Sequence, residues 1–261
     1  MAVATLLSEV IACAAGLIIV WKVSPFKRKM PPLKRIADPA SLKKMMMVNR
    51  DLFIRTLCLL TVFNSFTAKG ASFGTEVLAA NAILLQIHFI MAYFFDGFSN
   101  SSSILVGKAI ASRDDPLYKK TLMLSCQWAF LSALFIAGCY YLWSNYILLL
   151  FTPRPSVIEL AHTYQIWLIL FPFSAGLGLI LYGVFIGATE TASIRNSMIL
   201  ALVLYLLSQF FFVPSYHNHG LWLAFILFSL GRSVFLAICI PNLNQKFFPK
   251  KSIEHENLKS I

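Results

Sequence analysis

Charge is scarce in this chain: Asp, Glu, Lys and Arg make up 13% of 261 residues, against 58% hydrophobic residues and a mean hydropathy of +0.73. A water-soluble domain hydrates its surface with roughly a quarter of its residues charged. The scarcity therefore excludes one and requires lipid as the solvent. A CxxC spacing is also missing. The five cysteines, Cys13, Cys58, Cys126, Cys139 and Cys239, all fall inside apolar runs, which reads them as small buried hydrophobes and not as a disulfide framework. His217 and His219 stand close together but have no third ligand nearby, so a metal centre is not indicated. No Walker sequence, catalytic triad or cofactor fingerprint occurs. The chain reads as a non-enzyme without a cofactor, in which any driving force is an ion gradient.

Acidic residues are few as well, 11 against 22 Lys and Arg, for a net charge of +11. A nucleic-acid partner would need those cations beside a soluble core or interleaved with aromatics in a recognisable module, and neither pattern is present. Membrane topology accounts for them better. The first apolar run lacks a preceding Lys or Arg, is interrupted by Glu9 and has Lys22 on its far side. Those features exclude a secretory signal peptide and predict a retained helix with its N-terminus outside.

What is present is a series of apolar runs of spanning length, about 20 residues. Seven occur, over residues 3–21, 52–67, 77–110, 122–143, 164–188, 194–213 and 221–240, which predicts an all-α integral membrane fold of about seven transmembrane helices. In the long third run Gly97 is followed by Ser99, Asn100, Ser101, Ser102 and Ser103, a weak point where a kink or break is expected. Eighteen of the basic residues fall in alternate loops and the C-terminal tail, whereas the opposite loops hold Lys69 and Arg154. Cytoplasmic loops carry the Lys and Arg excess, so the C-terminus is predicted to be cytoplasmic. Residues 1–22 form a first helix, 23–50 a basic cytoplasmic connector, 51–246 a six-helix bundle and 247–261 a cytoplasmic tail. Pro25, Pro31, Pro32 and Pro39 predict that the connector is partly extended.

Residues 50–87 read RDLFIRTLCLLTVFNSFTAKGASFGTEVLAANAILLQI, and residues 94–114 read FFDGFSNSSSILVGKAIASRD. Further on stand LYGVFIGATETASIRNSM at 181–198 and GLWLAFILFSLGRSVFL at 220–236. In this order the segments resemble the DinF branch of the multidrug and toxin extrusion (MATE) transporters. They are similar to an LFxRT-like helix start, a TARG-like turn, an AANAxLLQ stretch, a DGF and the tenth-to-twelfth helices. The resemblance covers nearly the whole chain and implies the sixth helix plus the C-terminal six-helix bundle of a twelve-helix transporter. The implied activity is secondary antiport of organic, often cationic, compounds against H+ or Na+. The implied partners are membrane lipids, a small organic substrate and a separate N-terminal lobe. The alternative is a truncated, transport-inactive membrane protein from a decayed or split gene. A lipid-linked precursor flippase is disfavoured by the DinF-type motifs.

Asp96 is the sharpest candidate, because a carboxylate near the middle of a span must face a cavity or a partner. On a helical wheel Asn81, Gln86, His88, Asp96, Asn100 and Ser103 form one polar stripe. It reads either as a wall of a substrate or ion pathway or as a hydrogen-bonded seam between helices. Arg232, central in the last run, joins the pathway set and is a candidate ion-pair partner for Asp96. Arg55 and Lys69 read as interface anchors. Pro172, Gly176 and Gly178 suit a bending helix or ordinary packing, and Phe210 to Phe212 read as lipid-facing. Two departures from the resembled pattern touch ion coupling: Tyr182 stands where L-D-G has its carboxylate, and Ser103 where A-A-E-A has its glutamate. Neither side chain ionises near neutral pH.

Cysteine-accessibility labelling or reporter fusions are expected to place Lys34 and Lys251 in the cytoplasm and Arg154 outside. The reverse result at any of the three overturns the span count.

Overall fold

Hydrocarbon offers no partner to a backbone N–H or C=O, so a segment crossing it closes its own hydrogen bonds as a helix. A computed structural model describes residues 2–23 and 38–249, and these are helical apart from short turns. The chain divides into two units, residues 1–45 and 46–261. Lys34, in the connector, and Lys251, in the tail, lie outside the described residues.

In the first unit, α1 (Ala2–Val23) carries the apolar stretch Leu6–Ile19, with Leu6, Ile11 and Leu17 exposed. The helix α2 (Pro39–Ala71) is longer than the predicted run at 52–67. Within the connector, expected to be partly extended, the basic stretch is helix from Pro39 onward. Asp38 explains the difference, since its carboxylate accepts hydrogen bonds from the Ser41 N–H at 3.0 Å and the Ser41 hydroxyl at 2.7 Å. Proline just after such a cap starts a helix.

The bundle continues through α3 (Thr75–Ser112), α4 (Asp115–Phe151), α5 (Pro155–Gly187), α6 (Thr191–Ile238) and the short α7 (Ile240–Phe247). Among the described residues four stretches are long and apolar enough to cross a membrane: α3, α4, α5 and the continuous α6–α7 segment. Each turn has its local cause. Gly74 takes φ 108° after α2, and Arg113 takes the left-handed φ 54° before Asp114, whose carboxylate caps α4 by accepting from the Leu117 N–H at 2.9 Å. Within α6, His217 leaves helical geometry at φ 47° and ψ −125°. The arms 191–216 and 218–238 fold back on each other there, for the Tyr205 and Phe228 rings lie 6.2 Å apart. They supply the sixth and seventh predicted spans.

At 1.5 Å per residue the 33 to 38 residues of α2 to α5 reach about 50 Å or more, so their ends pass beyond a hydrocarbon core of about 30 Å. Polar contacts gather at those ends. At one end Asp51, buried in α2, accepts from Arg195 at 2.7 Å, Thr191 at 3.1 Å and Arg50 at 3.0 Å. Burial alone would push its carboxyl up, but hydrogen bonds from Arg50 and Thr191 and the Arg195 guanidinium outweigh it and hold the carboxyl below its ordinary value. Lys246 of α7 pairs with Glu190 at 2.7 Å, and the Tyr118 hydroxyl donates to Asn244 at 2.7 Å.

Lipid does not press helices together, so close contact depends on small residues. The break expected at Gly97–Ser103 does not occur: α3 runs through it, and its small side chains let α5 approach instead. A Cβ on Gly183 would overlap the Ser99 carbonyl, and one on Gly187 the Ser103 carbonyl. One turn along from Ser99, Ser102 shares a 2.7 Å hydrogen bond with Ser125 of α4. On the outside, Leu150, Ile104, Leu142 and Phe130 remain exposed, as do Phe210 and Phe211, the surface expected of a lipid-facing bundle. Lipid also modifies the cysteine reading: Cys58 is buried, Cys126, Cys139 and Cys239 are partly exposed, and Cys13 is exposed.

Gly183→Ala is expected to cost about 1–3 kcal/mol through overpacking against α3. Gly138→Ala, whose Cβ would meet nothing within 4 Å, is expected to be neutral or stabilising. Monodisperse yield after detergent extraction checks both, and equal yields would refute the close approach.

Candidate functional site

The α3 stripe is divided between two neighbouring cavities. Asn81 and Gln86 line one of about 250 Å³, together with Phe66, Thr67 and Leu85. His88 and Asp96 line another of about 240 Å³, reached also by Arg55 of α2, Phe171 of α5, and Phe225 and Arg232 of the second arm of α6. Phe63 and Phe89 border both. Asn100 is exposed and lines neither, so the structure does not bring it to the others.

Asn81 is engaged through both its amide nitrogen and its carbonyl oxygen. Its amide donates to the Asn218 carbonyl oxygen at 2.8 Å, while its own carbonyl oxygen accepts from the Asn218 amide at 3.0 Å and from the Trp222 indole N–H at 2.9 Å. Asn81, Asn218 and Trp222 are all buried. The trio fastens α3 to the start of the second arm of α6, next to the His217 reversal, which is the seam reading of this part of the stripe. Gln86 is exposed at the cavity edge.

Asp96 and Arg232 share the second cavity. The candidate ion pair between them is not formed: among the described residues no salt bridge within 4 Å includes either. A third charged group lines the same cavity. Arg55, read from the sequence as an interface anchor, points inward instead, with its guanidinium 4.3 Å from the centre of the Tyr182 ring. Tyr182 thus holds a cation through its ring face. Arg55 and Arg232 also line a smaller adjoining cavity with Gly178 and Tyr182. The Nε atoms of both arginines and Nδ1 of His88 are buried without a hydrogen-bond partner. His88 is packed among aromatic rings, with Phe171 at 4.0 Å and Phe225 at 5.0 Å between centroids. Arg55 had left one trace in the sequence: it and Arg232 are the two cations that the alternating loops do not absorb.

The second arm is fixed beside Arg232. The Ser233 hydroxyl accepts from the Gly178 N–H at 3.0 Å and donates to the Ser174 carbonyl at 2.7 Å, bridging an i, i+4 pair of α5 that follows Pro172. Gly178 leaves the room this needs, since a Cβ there would stand 2.5 Å from that hydroxyl oxygen.

The MatE family profile matches residues 52–212, more than half of the chain. The chain belongs to the MatE family. It is 30% identical over 236 residues to the DNA damage-inducible protein F of Escherichia coli (strain K12), an alignment covering 90% of this chain and 51% of that protein. Among solved structures it resembles a MATE protein in the bent conformation, with a TM-score of 0.69, 16% identity, and coverage of 76% of this chain and 44% of the other. It also resembles the Vibrio cholerae MATE transporter VcmN in the bent form, with a TM-score of 0.68 and 17% identity, covering 83% of this chain and 50% of that one. This MATE chain spans about half the length of the relatives it matches. It is a multi-pass membrane protein, and MATE proteins are transporters, not enzymes.

Asn81→Ala is expected to leave Asn218 and Trp222 short of a partner and to cost about 1–3 kcal/mol, lowering the melting temperature in detergent. Asn100→Ala is expected to leave it unchanged, and an equal loss at both positions would contradict the Asn81 lock.

Proposed function

We propose that the chain is the C-terminal lobe of a DinF-like secondary antiporter that extrudes organic compounds in exchange for H+ or Na+, in company with an N-terminal lobe. The observation that carries this reading is the cavity of about 240 Å³ in which Arg55, Asp96 and Arg232 converge from three helices of a membrane bundle. Charges are costly in lipid and persist there where they serve a pathway. Transporters built from repeats bind substrate between the repeats and alternate access by rocking one bundle against the other. One bundle supplies one wall of such a site.

The roles follow from chemistry. Asp96 is the carboxylate of this cavity and the group able to exchange a proton or hold Na+, whereas Tyr182 and Ser103 have given up that capacity. Arg55 and Arg232 set the field in which Asp96 works. The aromatic wall of Phe63, Phe89, Phe171 and Phe225 offers an apolar face to an organic molecule. The distribution of Lys and Arg supports an inner-membrane orientation with the N-terminus outside and the C-terminus in the cytoplasm.

In vesicles carrying a proton or Na+ gradient, the chain alone is expected to move none of a panel of cationic and anionic dyes. Joined to a DinF-type N-terminal lobe it is expected to move at least one, and Asp96→Asn in the joined protein to remove the gradient dependence. Gradient-driven efflux by the lone chain would replace the two-lobe reading with a homodimer. Failure of the joined protein to move any dye would refute transport.

A further inference from the structure

Counting charge around the cavity among the described residues gives two cations, Arg55 and Arg232, against one anion, Asp96; no other described Asp, Glu, Lys or Arg lines it. The two arginines also line the smaller adjoining cavity together. Neither has a carboxylate within 4 Å among the described residues, and the Nε of each is buried without a hydrogen-bond partner. Arg55 lies against the Tyr182 ring, and Arg232 is 5.9 Å from the Phe228 ring centre, so both guanidiniums are steadied by π faces while their donors stay free. Leaving charged donors unmatched away from water is unfavourable. One further negative charge would balance the site. A guanidinium is a rigid planar fork that matches a carboxylate or sulfonate through two parallel hydrogen bonds. An organic cation would instead meet a net positive wall.

Resting on the transport reading above, we propose that this cavity takes an amphipathic organic anion. Its carboxylate or sulfonate head lies between Arg55 and Arg232, and its apolar body against Phe63, Phe89 and Phe171. Asp96 disfavours the anion while it is ionised and tolerates it when neutralised. The volume, about 240 Å³, falls just below the range of about 300–1,000 Å³ for drug-sized sites, which suits a bicyclic acid better than a large drug.

The test uses the purified full chain in a neutral detergent and two radiolabelled probes of the same shape and opposite charge, 1-naphthoate and 1-naphthylmethylammonium. Naphthoate is expected to bind at least tenfold more tightly than the amine. Arg55→Gln and Arg232→Gln should each weaken it at least tenfold, and Asp96→Asn should strengthen it several-fold. The Asp96 variant keeps the test decisive if the arginine variants do not fold. Binding of neither probe, tighter or equal binding of the amine, or unchanged naphthoate affinity in Asp96→Asn overturns the proposal. So does displacement of naphthoate by phosphatidylglycerol at a mole fraction where phosphatidylcholine has no effect, which would make the cavity a lipid-headgroup site. Binding to the lone chain and transport by the joined lobes fail separately: naphthoate binding without dye movement refutes the transport reading, and dye movement without naphthoate binding refutes the anion site.

Discussion

Helix contact in lipid is limited by how near two backbones can come, because burying an apolar side chain against another one gains little over burying it in acyl chains. In this chain that limit is met where α5 presents Gly183 and Gly187 to the carbonyls of Ser99 and Ser103 on α3. Both pairs are spaced four residues apart, so each helix offers one narrow face to the other. Asp96 lies one turn before Ser99 on α3, and Tyr182 is the neighbour of Gly183 on α5. The contact that brings the backbones together therefore also sets the wall carrying Asp96 against the ring that receives Arg55.

From that contact the polar groups sort themselves by the partners available. Near the His217 reversal, amide meets amide and indole, and Asn81 is bonded through both its amide nitrogen and its carbonyl oxygen. At the opposite end Asp51 gathers two arginines and a threonine, as a buried carboxylate must if it is to remain ionised. Between these sealed ends the charges of the middle cavity are not sealed. Asp96 shares its space with two guanidiniums and forms a close pair with neither. The molecule thus satisfies its polar groups where they fasten helices and leaves them available where a small molecule could enter.

Much of this was legible in the residues. Each of the seven apolar runs lies in helix, because twenty uncharged residues have few alternatives in lipid, and the ordered motifs of the MATE family agree with the family match. Asp96 and Arg232 were recognisable as inward-facing from the cost of their charge alone. The start of α2 was missed because four prolines suggested an extended connector, although Asp38 followed by Pro39 is also how a helix begins. For Asn81 the seam reading was open but its partners were hidden: Asn218 and Trp222 are 137 and 141 residues away, and a helical wheel shows the face of a residue but not what stands opposite. Arg55 was placed at a membrane interface by its nearness to a span end, and the extra helical turns before it move it inward.

The Ser233 bridge ties the site to α5. Arg232 and Ser233 are adjacent in the chain, and Ser233 is hydrogen-bonded to the backbone of α5 at both Ser174 and Gly178. Proline at 172 has no N–H to give to the preceding turn, so α5 lacks one of its own internal ties shortly before the point where another helix supplies one. One hydroxyl group therefore anchors the residue next to Arg232 to the part of α5 that follows its proline.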